Sequence, residues 1–484
     1  MGIVFRQSFT NTLITYLGFG IGAINTLFLY TRFLTEEYYG LVGVILSTAT
    51  LLMPILAFGV PNTLVKYYSS FKGSRDTDGF LTMMLLLPLL LIIPVAIISY
   101  MANAAIGDFL ASENVIVADY VWYIFLIGMA MAYFEVFYAW SKVQLKSVYG
   151  NFMKEVFVRL GVTVLLILVY FDIIDVTTFL KALVGLYLLR TVMMKIYAYG
   201  LKMPKPHLKF PDNSRSILNY SSLIILGGST AVVLLEIDRF MINQFIRIEN
   251  VAYYSVAIFI AAVIAVPSRA MHQITYPMTA ELLNTEDQTG LKQLYRKTSL
   301  TLFIIAGIIF IGIILNLNDL YTLLPEAYRG GFTVVLLIGL AKVFDALLGN
   351  NNAILYNSDY YRTLLVMGVI LAVFTVLFNL WLIPKYGLNG AAIASFAAIF
   401  LYNNAKLIFV RMKFGMQPFT TETFKVFGLL VFIGALFYVL QFPFHPIVNI
   451  LLKSVLMLAM YLGVLYRLRI SKDLFGLISR YLKR

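Results

Sequence analysis

The chain has 484 residues, of which 61% are hydrophobic and only 13% are charged, and its formal net charge is +13. A soluble domain carries about 25% charged residues, so this composition lacks the polar surface that a water-facing globule needs. Loops that face anionic lipid explain the basic excess, which therefore does not indicate a nucleic-acid partner. The composition predicts a membrane protein.

Apolar stretches of about 20 residues, the length that crosses a bilayer, recur from one end of the chain to the other. They predict an all-α polytopic membrane protein with about fourteen transmembrane helices. The helices are expected near 9–32, 41–60, 80–101, 117–140, 156–171, 176–199, 218–246, 251–276, 299–317, 331–350, 363–383, 387–410, 424–442 and 447–466. No small-residue cleavage site follows the first stretch, which predicts a retained helix rather than a removed signal peptide.

Lysine and arginine fall mainly in every second connection, and acidic or uncharged turns mark the others. Lys142 and Lys146 follow the fourth predicted helix, and Lys202 and Lys205 follow the sixth. Basic loops stay on the cytoplasmic side, so the pattern predicts that both termini are cytoplasmic. We expect a multi-pass membrane protein with its basic connections on the cytoplasmic side.

The basic, proline-marked connection at 201–215 predicts a linker between two six-helix lobes. The predicted divisions are an N-lobe with linker at 1–210, a C-lobe at 211–412, accessory helices at 413–470 and an amphipathic cytoplasmic tail at 471–484. An acidic turn and a tyrosine pair follow both the first and the seventh helix. This echo indicates either two repeats around a central cavity or two ordinary interfacial turns.

Charged residues inside the predicted helices require a structural or functional explanation. Inserting each of them at the bilayer centre costs about 2.5–3.5 kcal/mol. They are Glu135, Lys181, Arg190, Glu236, Asp238, Arg239, Arg269, Lys342, Asp345, Lys406 and Lys453. Several of the lysines and Glu135 lie nearer helix ends, where snorkelling to the interface explains most of them.

Arg190 lies near the middle of the sixth predicted helix, with no acidic residue within one turn. Its partner must therefore come from another helix, a hydrated cavity or a ligand. Arg269 follows Pro267, which predicts a kink, and His272 lies one turn further on. Arg269 either lines a cavity at this kink or snorkels to the cytoplasmic interface.

Glu236 and Arg239 have the i,i+3 spacing of a helical ion pair, and Asp238 lies between them. Such a pair is a structural lock or a proton-sensitive switch. Lys342 and Asp345 repeat the spacing in the tenth predicted helix, with the same two interpretations.

Cations outnumber carboxylates in these helices, so a cavity lined by them suits an anionic ligand such as a pyrophosphate. The candidate substrate-binding cations are Arg190, Arg239, Arg269 and Lys342, and the candidates for ion coupling are Glu236, Asp238, Asp345 and His272. We predict no metal site, no cofactor and no catalytic residue, since the three histidines lack metal-ligand spacing.

Four segments carry a family resemblance, namely EYYGL at 37–41, IDRFMI at 237–242, NVAYYSV at 250–256 and IPKYGLNGAAIA at 383–394. In order and spacing they resemble the polysaccharide-unit (Wzx-like) flippases of the multidrug/oligosaccharidyl-lipid/polysaccharide (MOP) exporter superfamily. The likeness spans nearly the whole chain. One departure is Tyr254-Ser255, where the family has a Tyr-Gly turn.

The resemblance implies two six-helix lobes around a central cavity, two accessory helices and alternating access. The implied cargo is an undecaprenyl-pyrophosphate-linked oligosaccharide, carried to the outer leaflet for surface polysaccharide biosynthesis. It implies that cavity cations, here Arg239 and Arg269, bind the pyrophosphate. The implied partners are this lipid-linked oligosaccharide, the lipid bilayer and polysaccharide assembly proteins.

Two other functions remain open from the sequence. A drug/cation antiporter of the same superfamily would line its cavity with carboxylates, against the cationic excess here. A membrane polysaccharide polymerase or ligase would need a large outer loop, and the outer connections of this chain are short. We therefore expect a transporter rather than an enzyme.

Overall fold

The computed structural model describes residues 2–72, 76–207, 209–440, 442–468 and 470, without the side chains of 2–6, 8, 9, 226–228 and 231. Within these ranges the chain is helical and contains no β-strand. The predicted all-α polytopic architecture is confirmed. The predicted amphipathic tail at 471–484 lies outside the described residues.

Within the described ranges, eleven helical segments are long and apolar enough to cross a membrane. Predicted helices at 363–383 and 387–410 form one helical stretch, Tyr361–Phe414, interrupted at Gly387, whose φ of 56° and ψ of −133° suit glycine. The helices Val158–Tyr170 and Ser214–Phe245 match two further predicted segments but are not among the eleven. The predicted number of about fourteen spans stays a prediction.

Two compact units make up the chain, residues 1–255 with 379–387 and residues 256–378 with 388–484. Ser214–Phe245, which the sequence assigned to the second lobe, packs against Glu36–Leu56 within the first unit. The lobe boundary at 210 stays a prediction.

The α-helices up to the end of the first unit follow one another with π or 3-10 segments at Asn25–Leu29, Val115–Tyr120 and Met153–Phe157. They are α1 (Gly2–Ile24), α2 (Tyr30–Phe33), α3 (Glu36–Leu56), α4 (Val60–Phe71), α5 (Thr77–Leu86), α6 (Leu89–Met101), α7 (Asn103–Leu110), α8 (Val121–Val143), α9 (Val148–Phe152), α10 (Val158–Tyr170), α11 (Val176–Leu201), α12 (Ser214–Phe245) and α13 (Glu249–Ala262). The α8 helix packs against α3, α4 and α11, and its buried Phe134 and Trp140 anchor the core of this unit.

The remaining helices belong mainly to the second unit. They are α14 (Val266–Asn284), α15 (Gln288–Thr322), α16 (Phe332–Leu347), α17 (Asn351–Tyr356), α18 (Tyr361–Phe414), α19 (Thr421–Val439) and α20 (Pro446–Arg467). The α15 helix packs against α14, α16, α19 and α20, and Phe303, Leu430 and Tyr461 form part of the shared core.

Large apolar side chains also cover the outside of both units. Val164, Leu377, Val431 and Leu451 are each more than half exposed. Extended apolar surface is unfavourable in water and suits hydrocarbon, where backbone groups must be satisfied within helices. The surface and the helical backbone therefore agree with a multi-pass membrane protein.

Candidate functional sites: intramembrane charge clusters

Arg190 is the most deeply buried of the four predicted substrate-binding cations, with 6% of its surface exposed. Its guanidinium carbon lies 4.0 Å from the centroid of the Phe134 ring and 4.8 Å from that of Tyr187. Nε has no hydrogen-bond partner within the part of the chain that the structure describes. Ring faces attract a cation but do not use its N–H donors as a carboxylate would. The side chain is thus held in place with a donor left open.

Three cations and one carboxylate form what we call the Arg190 cluster, which consists of Glu135, Lys142, Lys154 and Arg190. The Lys154 ammonium donates to Glu135 Oε1 at 2.6 Å. Glu135 also interacts electrostatically with Lys142 and Arg190. Positive charge is in surplus, so the cluster attracts anions.

A cleft of about 250 Å³ adjoins this cluster, and Glu135, Lys142 and Lys154 form its charged wall. The other walls are mainly apolar and come from α3, α4, the turn between them and α12, including Pro54 and Ile224. A charged wall facing apolar ones suits an amphiphile with an anionic end.

Arg239 has partners close to it in the chain. Its guanidinium donates to Glu236 Oε2 at 2.5 Å, one turn earlier in α12, and to Ser255 Oγ at 3.0 Å. The pair predicted from the i,i+3 spacing is therefore present. Both side chains are about one-fifth exposed, so this ion pair is partly buried.

Asp238 is 5% exposed, and hydrogen bonds reach both oxygens of its carboxyl group. Asn379 Nδ2 donates to Oδ1 at 2.7 Å, and the Tyr254 hydroxyl donates to Oδ2. Together with Glu236, Arg239 and Ser255 these residues form the Arg239 group. A buried carboxylate with such donors stabilises the packing of its helices.

The second unit holds a different set of charges, which we call the Lys406 cluster and which consists of Arg269, His272, Lys342, Asp345 and Lys406. The ion pair of Asp345 is formed with Lys406, at 3.8 Å, rather than with Lys342 as the spacing predicted. Lys342 and Asp345 do interact electrostatically, but at a longer range, and Arg269 also acts on Lys342. Here again three cations surround one carboxylate.

Lys406 is 1% exposed and contacts two neighbours besides its charge partner Asp345. Its ammonium donates to Asn352 Oδ1 at 2.8 Å and lies 4.3 Å from the centroid of the Tyr402 ring. Asn403, one turn earlier, is fully buried, and both atoms of its amide lack a partner among the described residues. The cluster therefore has unused donors and acceptors beside its charges.

Arg269 and His272 lie on α14, where a 3-10 turn, Val263–Ala265, interrupts the helix just before Pro267. The missing amide proton of proline accounts for this break, as the sequence predicted. Arg269 is exposed and His272 is partly buried, with electrostatic interactions to Asp345 and Lys406.

The predicted candidates thus separate into three places. Arg190 lies in its own cluster, Glu236, Asp238 and Arg239 lie in the Arg239 group, and Arg269, His272, Lys342 and Asp345 lie in the Lys406 cluster. Sequence reasoning did not select Glu135, Lys142, Lys154 or Lys406 as site residues. The signal for Lys406 was its place one turn after Tyr402 and Asn403, in a polar stripe of an apolar helix. No group of metal-ligating side chains occurs in the described ranges.

A family profile described as "Polysaccharide biosynthesis protein" matches residues 4–283. This is more than half of the chain, so the protein belongs to that family. No curated protein matches the sequence.

Solved structures share the fold at low sequence identity. "Lipid II flippase MurJ, inward closed conformation" has a TM-score of 0.76 at 12% identity, over 95% of this chain and 99% of that one. An inward-facing multidrug resistance MATE transporter has a TM-score of 0.65 at 16% identity, over 84% of this chain and 94% of that one. A third structure is a MOP superfamily transporter from Pyrococcus furiosus, described as having a binding pocket of reverse polarity. Its TM-score is 0.57 at 14% identity, over 85% of this chain and 95% of that one. The chain therefore shares the fold of these structures.

Proposed function

We propose that this protein is a flippase that moves an undecaprenyl-pyrophosphate-linked oligosaccharide across the bacterial inner membrane by alternating access, for surface polysaccharide biosynthesis. The observation that carries the proposal is the surplus of positive charge in the Arg190 cluster, with a guanidinium donor left open. A buried cation without a hydrogen-bonded carboxylate is costly and needs a ligand to justify it.

In the proposed mechanism the pyrophosphate binds to Arg190, Lys142 and Lys154. Guanidinium offers two parallel donors to phosphate oxygens, while each ammonium acts as a point charge. Glu135 holds Lys154 in the absence of substrate, at 2.6 Å, and the incoming anion takes its place. The apolar walls of the adjoining cleft suit the first part of the polyprenyl chain.

The Lys406 cluster supplies the remaining cations of the proposal, Arg269 and Lys342. Asp345 and His272 lie beside them, so protonation of either would increase the positive charge of the Lys406 cluster. Ion coupling at Asp345, His272, Glu236 or Asp238 and the membrane potential are alternative drives. The potential supplies about 2.3 kcal/mol per charge per 100 mV.

The relatives support this proposal through what their descriptions say of them. The family description names polysaccharide biosynthesis, and one structural relative is titled a lipid II flippase. The structural likeness to a multidrug resistance transporter favours the alternative of a drug/cation antiporter. The excess of cations over carboxylates in both clusters favours an anionic cargo instead. We propose that both termini are cytoplasmic and that polysaccharide assembly proteins are partners.

The test is transfer in proteoliposomes. A polyprenyl-pyrophosphate-linked oligosaccharide is placed in one leaflet, and its appearance in the other leaflet is followed by lectin accessibility. We expect transfer by the wild type and at least about tenfold slower transfer by Arg190→Ala, which corresponds to about 1.4 kcal/mol. Export of a cationic dye without transfer of the lipid-linked oligosaccharide would instead establish the antiporter.

A further inference from the structure

The accessory helix α20 carries a buried lysine that the proposed function does not use. Lys453 is 7% exposed and donates to the backbone carbonyl of Leu315, at 3.3 Å, in α15. Among the described residues, this carbonyl is the hydrogen-bond acceptor for the Lys453 ammonium. An ammonium has three donors and is costly within a membrane helix. The site therefore has capacity for a further acceptor.

A polar cavity of about 340 Å³ is lined in part by Lys453, at the end of α15 remote from the basic residues Lys292 and Arg296. Lys453 and Asp319 are the two charged residues that line it. No ion pair between Lys453 and Asp319 occurs among the described residues, so neither charge neutralises the other. Asp319 accepts from Asn449 Nδ2 at a long distance of 3.5 Å.

The cavity thus offers one separate cation and one separate anion. A phosphate finds its charge complement at Lys453, and an amine finds its complement at Asp319. Aromatic rings in the lining, from Phe437 and Tyr438, add a further attraction for an ammonium group. A purely anionic headgroup would meet the carboxylate as a repulsive neighbour.

An apolar groove continues from this cavity along α15, α16 and α19. Its volume is about 740 Å³, and Ile314, Leu315 and Tyr438 line both the groove and the polar cavity. Outward-facing side chains such as Phe427 and Val431 are more than half exposed. A polar end joined to an apolar groove has the form of one lipid molecule.

We propose that this second-unit site binds a bilayer phospholipid whose headgroup carries both a phosphate and an amine, such as phosphatidylethanolamine. The phosphate binds Lys453, the amine binds Asp319, and an acyl chain lies in the groove. The bound lipid joins α15 to the accessory helices α19 and α20. The site is independent of the proposed cargo.

Native mass spectrometry of the full chain tests this after equilibration with equal amounts of phosphatidylethanolamine and phosphatidylglycerol. We expect the wild type to retain one phosphatidylethanolamine with about tenfold preference. Lys453→Met should lower retention about tenfold, and Asp319→Asn should move the preference towards phosphatidylglycerol.

Gly434 in the groove wall provides a steric test with a matched control. A Cβ at this position would lie 3.7 Å from Ile311, which is an ordinary contact, so Gly434→Ala should bind lipid as the wild type does. Gly434→Leu should block the groove and remove the lipid. Thermal melting of each variant in detergent shows that it is folded, and the Lys453 and Asp319 variants test the headgroup separately.

Three results would overturn the proposal. These are equal retention of the two phospholipids by the wild type, no retained lipid in any sample, and a polyprenyl lipid in the groove in place of the phospholipid.

Discussion

Arg190 and Arg239 are the same kind of residue in helices of the same unit, yet their surroundings differ. Arg239 is paired with Glu236 at 2.5 Å and also donates to Ser255. Arg190 lies over two aromatic rings and has an open donor within the described chain. An arginine whose donors are used locally stabilises the fold, whereas one held by ring faces is available to a ligand.

This difference suggests that the Arg239 group and the Arg190 cluster have different functions. The Arg239 group joins α12, α13 and α18 through complementary charges and hydrogen bonds, so we assign it to stability. The Arg190 cluster retains surplus charge at a cleft, so we assign it to the substrate. Variants in the two places should therefore separate transport from stability.

The largest expected effect is on transport by Arg190→Ala. We expect a loss of at least about tenfold, because the proposed bidentate contact with the phosphate would be removed. Arg190→Lys should restore part of the rate, since it keeps the charge without the fork. Lys181→Ala is the matched control, because Lys181 is an exposed cation in the same helix and should leave transport unchanged. Equal rates for Arg190→Ala and wild type would remove Arg190 from the substrate path.

Asp238→Ala should have the largest effect on stability. It leaves the Tyr254 hydroxyl and the Asn379 amide without their buried acceptor, at a cost of about 2–5 kcal/mol. The measurement is thermal melting in detergent. Asp212→Ala, at an exposed carboxylate, is the control and should melt as the wild type does. A melting temperature unchanged by Asp238→Ala would contradict the structural assignment.

The Glu236–Arg239 pair should give a smaller coupling. A double-mutant cycle with Glu236→Gln and Arg239→Met is expected to measure about 1 kcal/mol in favour of the pair. Arg239→Met should retain most transport when expression is matched. Zero coupling with a tenfold loss of transport in Arg239→Met would move Arg239 from stability to the substrate.

The smallest effect is expected at the start of α11, the helix that carries Arg190. Asp175 Oδ1 accepts from the Thr178 amide at 2.9 Å and caps the helix, and this hydrogen bonding lowers the pKa of the carboxyl group. The cap therefore stabilises the helix at neutral pH, and its contribution is lost as the pH falls through the lowered pKa. Asp175→Ala should lower the melting temperature slightly at pH 7 and leave transport intact. A larger shift at pH 3 than at pH 7 would contradict the assignment.

The sequence predicted the helices well because membrane-spanning segments leave a strong apolar signal. It also predicted the Glu236–Arg239 pair, since both residues lie on one helix and their spacing fixes their distance. The ion-pair partner of Asp345 was not predicted, because Lys406 lies 61 residues away on another helix. Periodicity does not show which helices pack together, so pairs of this kind require the fold.

The same reason explains why the sequence grouped Arg190 with Arg239 and Arg269. All three are arginines within predicted apolar helices. Their environments depend on neighbours distant in sequence, such as Phe134 on α8 for Arg190. Ring faces, open donors and surplus charge are properties of packing.

The central claim is that Arg190 is kept for a pyrophosphate ligand at a cost in stability. Thermal melting of wild type and Arg190→Met, each with and without farnesyl pyrophosphate, tests it directly. We predict that the wild type is stabilised by the ligand, as expected when a ligand binds only the folded state. Arg190→Met should melt no lower than the ligand-free wild type and should show no ligand shift. A variant that melts several degrees lower but keeps the full shift would contradict the account.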